Sequence, residues 1–315
     1  MAAVVAAAGC DLILGIDDGV PREAGGPEAA SDASVDAPAD ATDGGAGDAA
    51  APACDTDAAF QTATLFSTLA GPGADQHLRL VPPSELVGVF TSVRDGGLGA
   101  ADIYTAQRAS IGDTWKNVAE VPGVNGANAD NDPSVSADML TLYFARGGNI
   151  QRATRLDPQS TFGTPVAVPE LASGSNDFGP YLVDDGSMLY FSSARASDAG
   201  VSQLYFSQPL ADGGFTTVAP VTGQGTSGDN RFAAVTADQL VMYFASTRSA
   251  GQGGHDIWVA TRSSTSLPFG SPHVVAEVSS PQEDDPDWVS SDRCRLYFSS
   301  NRSGTYKIYV ATKTP

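Results

Sequence analysis

The sequence predicts an all-β fold, a five-bladed β-propeller closed by an N-terminal outer strand that completes the last blade and preceded by a disordered tether. Three observations carry this reading. A Tyr-Phe pair recurs at intervals of about fifty residues, short strand-like runs flank every pair, and the outer strand lacking at the end of the last repeat is found ahead of the first.

The pairs are Tyr143-Phe144, Tyr190-Phe191, Tyr243-Phe244 and Tyr297-Phe298, with a degenerate copy at Val89-Phe90. Their phenylalanines lie 54, 47, 53 and 54 residues apart. Each pair sits in a run such as LTLYFAR or RLYFSS, rich in the β-branched and aromatic residues that suit a pleated surface. An acidic segment precedes each run (NDPSVSAD, NDFGPYLVDD, DNRFAAVTAD, DDPDWVSSD) and reads as an inner strand. A third strand follows (DIYTAQR, NIQRATR, QLYFSQP, DIWVATR, KIYVATK), then a fourth near an aromatic residue (WKNVAEV, FGTPVAVPEL, FTTVAPV, FGSPHVVAEV). Four antiparallel strands per repeat make one propeller blade.

The count predicts the closure. Five sets of the first three strands occur, but only four fourth strands follow them, and the sequence stops just after KIYVATK. FQTATLFSTL, Phe60–Leu69, precedes the first set and supplies the missing outer strand. Such a closure removes an open sheet edge. The propeller is thus expected over residues 59–315.

Ahead of it, residues 17–58 are mainly Ala, Asp, Gly, Pro and Ser. A segment so poor in large apolar side chains cannot offset its chain entropy by burial, so 11–58 reads as a disordered acidic linker. The net charge of −20 excludes a phosphate backbone as partner. No CxxC pair or Cys/His cluster with metal spacing occurs, so no metal or cofactor is expected. No run of 18 apolar residues is present, and a membrane is expected only through a lipid anchor.

The anchor follows from MAAVVAAAGC. The run Ala7-Ala8-Gly9-Cys10 resembles the lipobox of bacterial lipoproteins, which implies lipidation of Cys10, although Ala7 stands where that motif has Leu. Residues 1–10 are read as the end of a truncated signal peptide. The repeat itself, best seen as DDPDWVSSDRCRLYFSSNRSGTYKIYV, resembles the WD-like repeat of the Tol-type propellers of the bacterial periplasm. That resemblance covers residues 60–315. It implies a propeller of the cell envelope but no activity, since the fold hosts many. Tol-type relatives have six blades and this sequence has five.

Two arrays recur in every blade and are read as structural. One is Arg94, Arg146, Arg195, Arg248 and Arg302; the other is Asp75, Asp132, Asp177, Asp229 and Asp285. Residues that every blade shares serve blade packing. Function is expected where the repeat breaks, at the channel mouth. An inner-strand column of Leu80, Ser134, Tyr181, Ala234 and Trp288 varies, whereas its neighbours Val81, Val135, Leu182, Val235 and Val289 are uniformly apolar. Tyr181, Trp288, Arg231 and His255 are therefore the candidate binding residues.

No catalytic residue is assigned. Asn131-Asp132-Pro133 resembles the Asp-Pro opening of five-bladed glycoside hydrolases, but hydrolysis needs two facing carboxylates. Glu120, Glu170 and Glu277 fall at outer-strand ends, and Glu85 and Glu283 in loops. SIGDTW only half matches a sialidase Asp-box. The expected function is a non-enzymatic, monomeric binding or scaffold propeller of the envelope whose partner is an unidentified envelope protein or glycan. A glycoside-hydrolase-like propeller is the alternative. Cys54 and Cys294 fall at one end of the last blade by this topology, and an oxidising compartment would join them as a disulfide.

Overall fold

The computed structural model describes residues 54–196 and 200–315. The lipobox cysteine Cys10 and residues 11–53 of the expected linker lie outside the described residues. The described chain is all strand, turn and loop, and none of its segments is a helix able to cross a membrane.

The first strand, β1 (Thr64–Leu65), is an outer one. Blade one follows as β2 (Asp75–Leu80), β3 (Val87–Ser92), β4 (Asp102–Gln107) and β5 (Lys116–Glu120). Blade two is β6 (Asp130–Val135), β7 (Thr141–Arg146), β8 (Asn149–Thr154) and β9 (Val166–Ala167). Blade three is β10 (Asp177–Leu182), β11 (Leu189–Ser193), β12 (Gln203–Ser207) and β13 (Ala219–Pro220). Blade four is β14 (Asn230–Val235), β15 (Val241–Ser246), β16 (Asp256–Thr261) and β17 (His273–Val274). Blade five, β18 (Asp284–Val289), β19 (Arg295–Ser300) and β20 (Lys307–Thr312), takes β1 as its outer strand. All pairings are antiparallel, and β2, β6, β10, β14 and β18 meet in a ring around the axis.

The closing strand is shorter than the ten residues expected. Thr64 and Leu65 pair with Val310 and Tyr309, and Phe60 forms an isolated bridge to Lys313. Other contacts reinforce the seam. Cys54 and Cys294 are disulfide-bonded, with Cα atoms 5.7 Å apart. Residues 54–58, assigned to the linker on sequence, carry a turn whose Asp55 N–H donates to Thr314 O. Arg295 holds Glu85 at 2.8 Å at one end of the seam, and Lys307 holds Asp75 at 3.2 Å at the other.

Each phenylalanine of the repeated pair, Phe90, Phe144, Phe191, Phe244 and Phe298, is completely buried. The guanidinium of Arg94, Arg146, Arg195, Arg248 or Arg302 lies 5.0–5.1 Å from its centroid. The same arginine donates to a carbonyl of the preceding inter-blade loop (Leu69, Val124, Leu171, Gln224, Val278) and to the first residue of the inner strand. This five-fold set is a bracket between blades. Its acceptors are Asp75, Asp130, Asp177, Asn230 and Asp284, which corrects three members of the acidic array: Asp132, Asp229 and Asp285 each lie beside the true position. Neighbouring acids or amides in DND, GDN and EDD made the register ambiguous.

Every inner strand also carries a one-residue bulge, so two of its residues fall opposite one on the second strand. Its third residue is His77, Asp132, Gly179, Phe232 or Pro286. The backbone N–H of this residue turns toward the preceding blade. His77 donates to Ser299 Oγ at 2.8 Å, Asp132 to Thr91 Oγ1 at 3.0 Å and Phe232 to Ser192 Oγ at 3.0 Å. Those hydroxyls occupy one column, directly after the buried phenylalanine. In blades two and four that column holds Ala145 and Ala245, with no hydroxyl. Gly179 N–H instead donates to Asp132 Oδ2 at 3.1 Å, and Pro286 has no N–H to satisfy. The donor is accepted or removed in all five blades, as buried backbone groups require.

The seam gives a direct test. Removing 1–53 leaves every described contact and should leave the melting temperature unchanged. Removing 1–70 deletes the closing strand, the disulfide and the buried Phe60. At roughly 2–4 °C per kcal/mol for a domain of this size, the melting temperature should fall by more than about 10 °C. Removal of 1–58, which loses Cys54 but keeps β1, should fall between. Equal melting of all three truncations would contradict the closure.

Candidate functional site

The bulge places five side chains around the axis. A small, partly open cavity of about 30 Å³ is lined by all five inner strands, including His77, Arg79, Asp132, Tyr181, Phe232 and Asp287. That volume holds about two waters. Below it the channel is filled. The Arg79 guanidinium lies 4.0 Å above the Tyr181 ring, donates to Leu182 O and pairs with Asp184 at 2.9 Å. Tyr181 Oη donates to Val235 O.

Backbone geometry at the bulge singles out three residues. His77, Asp132 and Phe232 have φ of 54°, 56° and 52°, in the left-handed region where a Cβ costs about 1–2 kcal/mol. Glycine avoids that cost, and the chain uses it only at Gly179, φ 60°. A Cβ there would also lie 2.8 Å from the Phe232 ring. Three strained non-glycine residues that all face one cavity mark a place where side-chain chemistry outweighs backbone comfort.

The chemistry is that of a compensated charge cluster. His77 Nδ1 lies 2.7 Å from Asp132 Oδ1, and its ring is tilted over Phe232 at 4.6 Å between centroids. The alignment is not that of a hydrogen bond, so the contact is ionic, and Nε2 has no hydrogen-bond partner. Burial works against the imidazolium, but Asp132, with Asp287 and Asp285 beyond it, holds the pKa up at about 9. Burial raises the Asp287 carboxyl to about 7 against the pull of His77, the Ser299 hydroxyl and the Leu78 N–H. Asp287 is thus partly protonated near neutrality, beside a charged histidine.

Of the four residues expected at the mouth, the structure brings only Tyr181 to the axial cavity. Trp288 is fully buried, packs against Tyr297 at 5.8 Å and belongs to the core. Arg231 and His255 lie at the rim and join blades four and five. Arg231 holds Glu283 and Asp285, both at 3.0 Å, while His255 holds Glu283 at 2.7 Å and Asp229 at 3.3 Å. The variable column was also misread by one residue in blade one. Arg79, not Leu80, stands level with Ser134, Tyr181, Ala234 and Trp288, and Leu80, not Val81, joins the apolar column. The cause is the turn at 81–86, one residue longer than those at 136–140, 236–240 and 290–294.

Sequence reasoning missed His77 and Asp287 as cavity residues. The column His-Asp-Gly-Phe-Pro varies as widely as the one two residues further on, so variation alone did not single it out. Among the described residues, no cluster of His, Cys, Asp and Glu has the arrangement of a metal site.

No protein-family model and no curated protein sequence matches the chain. Solved structures resemble it. An α-L-arabinofuranosidase of Podospora anserina is 11% identical with a TM-score of 0.54, over 83% of this chain and 98% of that one. An endo-arabinase of Bacteroides thetaiotaomicron is 14% identical with a TM-score of 0.52, over 82% of this chain and 98% of that one. TolB of Acinetobacter baumannii is 15% identical with a TM-score of 0.46, over 78% of this chain, which spans 57% of that protein. At these identities the likenesses show the propeller fold alone.

The His77 cluster makes stability depend on pH. A histidine whose pKa rises from 6.5 unfolded to about 9 folded contributes stability that is complete below 6.5 and is lost as pH rises through 9. The shift corresponds to about 3 kcal/mol. Asp287, raised from 3.8 to about 7, acts in the same direction over the lower window. Urea unfolding at pH 6.5 and pH 9 should therefore show a loss of stability in the wild-type chain that His77→Gln largely removes. An identical loss in the variant would show that His77 does not titrate there.

Proposed function

We propose that the chain is a non-enzymatic binding propeller of the bacterial cell envelope, tethered by lipid on Cys10, that takes its ligand at the axial mouth formed by His77, Asp132 and Phe232. The observation that carries this reading is the three strained side chains around one cavity, on a scaffold whose other repeated polar residues are used up in joining blades. The lipobox and the acidic segment after it support an envelope location.

The reading as a binder rests on the state of the carboxylates. Asp132 is engaged by His77 and by Gly179 N–H. Glu283 is held by Arg231 and His255, and Glu85 by Arg295 and Arg108. Among the described residues, no glutamate lines the axial cavity. One observation favours glycoside hydrolysis as a second reading. Asp132 and Asp287 both border the cavity, and Asp287 has the raised pKa that a general acid needs.

A screen of chromogenic glycosides separates the two. The binding reading expects no turnover from the purified chain with Cys10→Ala. Turnover abolished by Asp132→Asn would overturn it in favour of hydrolysis. In the same preparation, Phe232→Gly should reduce capture of envelope components relative to wild type while its melting temperature stays within a few degrees.

A further inference from the structure

The blades differ most in one loop at the mouth. The hairpin joining the second and third strands spans residues 93–101 in blade one, 194–202 in blade three, 247–255 in blade four and 301–306 in blade five. In blade two it is only Gly147-Gly148, with φ of 58° and 76°. A turn of two residues with both φ positive is the tight hairpin that glycine permits and other residues resist. The rim is therefore notched at blade two. The notch opens into a cavity of about 250 Å³ lined by His77, Asn131, Asp132, Arg146, Asn176 and Phe178, among others. This approaches the roughly 300–1,000 Å³ typical of small-ligand sites. His77 and Asp132 border both this notch and the axial cavity, so the two adjoin.

Building on the binding reading above, we infer that the notch is the ligand subsite and that its ligand is an uncharged carbohydrate. Charge supplies the first argument. Each charged group of the lining already has its counter-ion, His77 with Asp132 and Arg146 with Asp130, so an ionic ligand gains no unpaired partner. Hydrogen bonding supplies the second. Asn131, half-buried, and Asn176, exposed, bring side-chain amides to the lining, and His77 Nε2 is buried without a hydrogen-bond partner. Two amides and an imidazole N–H, spread around a small cavity, match the closely spaced hydroxyls of a sugar ring, each of which both donates and accepts. Shape supplies the third. Phe178 is half-buried and held edge-on by Phe232 at 5.4 Å, which leaves an apolar ring at the cavity wall. The C–H face of a pyranose or furanose packs on such a ring. The left-handed backbone of Phe232 is then explained as support for Phe178 on one side and His77 on the other.

The test is an array of neutral oligosaccharides of two to six sugars, uronic-acid oligosaccharides and capped neutral peptides, probed with the full chain carrying Cys10→Ala. Neutral oligosaccharides should be retained in preference to the others. Asn131→Ala with Asn176→Ala should weaken that binding about tenfold, the worth of one to two hydrogen bonds. Replacing Gly147-Gly148 with residues 93–101 of blade one should fill the notch and abolish binding. That graft installs a loop the scaffold already carries elsewhere, and its melting temperature is checked alongside. Unchanged affinity in the folded graft would overturn the subsite. If Phe232→Gly still weakened binding in that case, the axial reading would survive, and if it did not, both would fall. Retention of peptides in place of sugars, or of no array member, would overturn the carbohydrate class.

Discussion

The ring depends on one backbone donor per blade. Each inner strand bulges by one residue, and in four of the five the bulge turns an N–H away from its own sheet toward the blade before it. A buried donor left without an acceptor costs about 1–3 kcal/mol, so every blade must answer it. Thr91, Ser192 and Ser299 answer it with hydroxyls on the neighbouring second strand. These bonds run between sheets that also share the arginine brackets, side-chain packing and a backbone bond from the first N–H of each inner strand to a carbonyl of the preceding blade. Together these contacts hold each inner strand against the blade before it.

The two exceptions place the chemistry. Ala145 offers no hydroxyl, and the carboxylate of Asp132 reaches across to accept from Gly179 N–H. A charged acceptor is thereby drawn to the axis, where His77 neutralises it. The charge pair is a consequence of how the ring is satisfied, and it supplies the polar groups of the cavity. Ala245 also offers none, and there Pro286 removes the donor. Pro286 cannot adopt the left-handed backbone of the other four, and on this strand the next residue, Asp287, lines the cavity beside it.

The blade count, the strand order and the closing strand were legible in the sequence because they rest on spacing. The Tyr-Phe pairs recur wherever a sheet must fill the wedge against its neighbour, and a missing fourth strand at one end must be found at the other. The pairing of Cys54 with Cys294 followed from the same topology. Registers within a strand were less legible. Asp130 and Asp132 are chemically alike in the sequence, but one is bracketed by Arg146 and the other faces the axis, and only the bulge tells them apart. One extra residue in the turn at 81–86 displaced Arg79 from its column and hid the group that stacks on Tyr181. Trp288 looked like a binding ring because its column varies, yet that column lies below the mouth, where variation reflects packing volume. Phe232 carried a real signal, since a bulky aromatic residue does not favour a left-handed backbone. That signal becomes visible only once φ is known.

The central claim is that Asp132 stands in for a hydroxyl missing at Ala145. Urea denaturation of Asp132→Ala, Ala145→Ser and the double variant tests it most directly, as a double-mutant cycle. A serine at 145 would hold the position from which Thr91, Ser192 and Ser299 each accept at 2.8–3.0 Å. The account predicts that Asp132→Ala destabilises the chain and that Ala145→Ser in the same chain restores about 1 kcal/mol or more. Strict additivity, with the serine giving no greater benefit in the Asp132→Ala background than in the wild type, would contradict it.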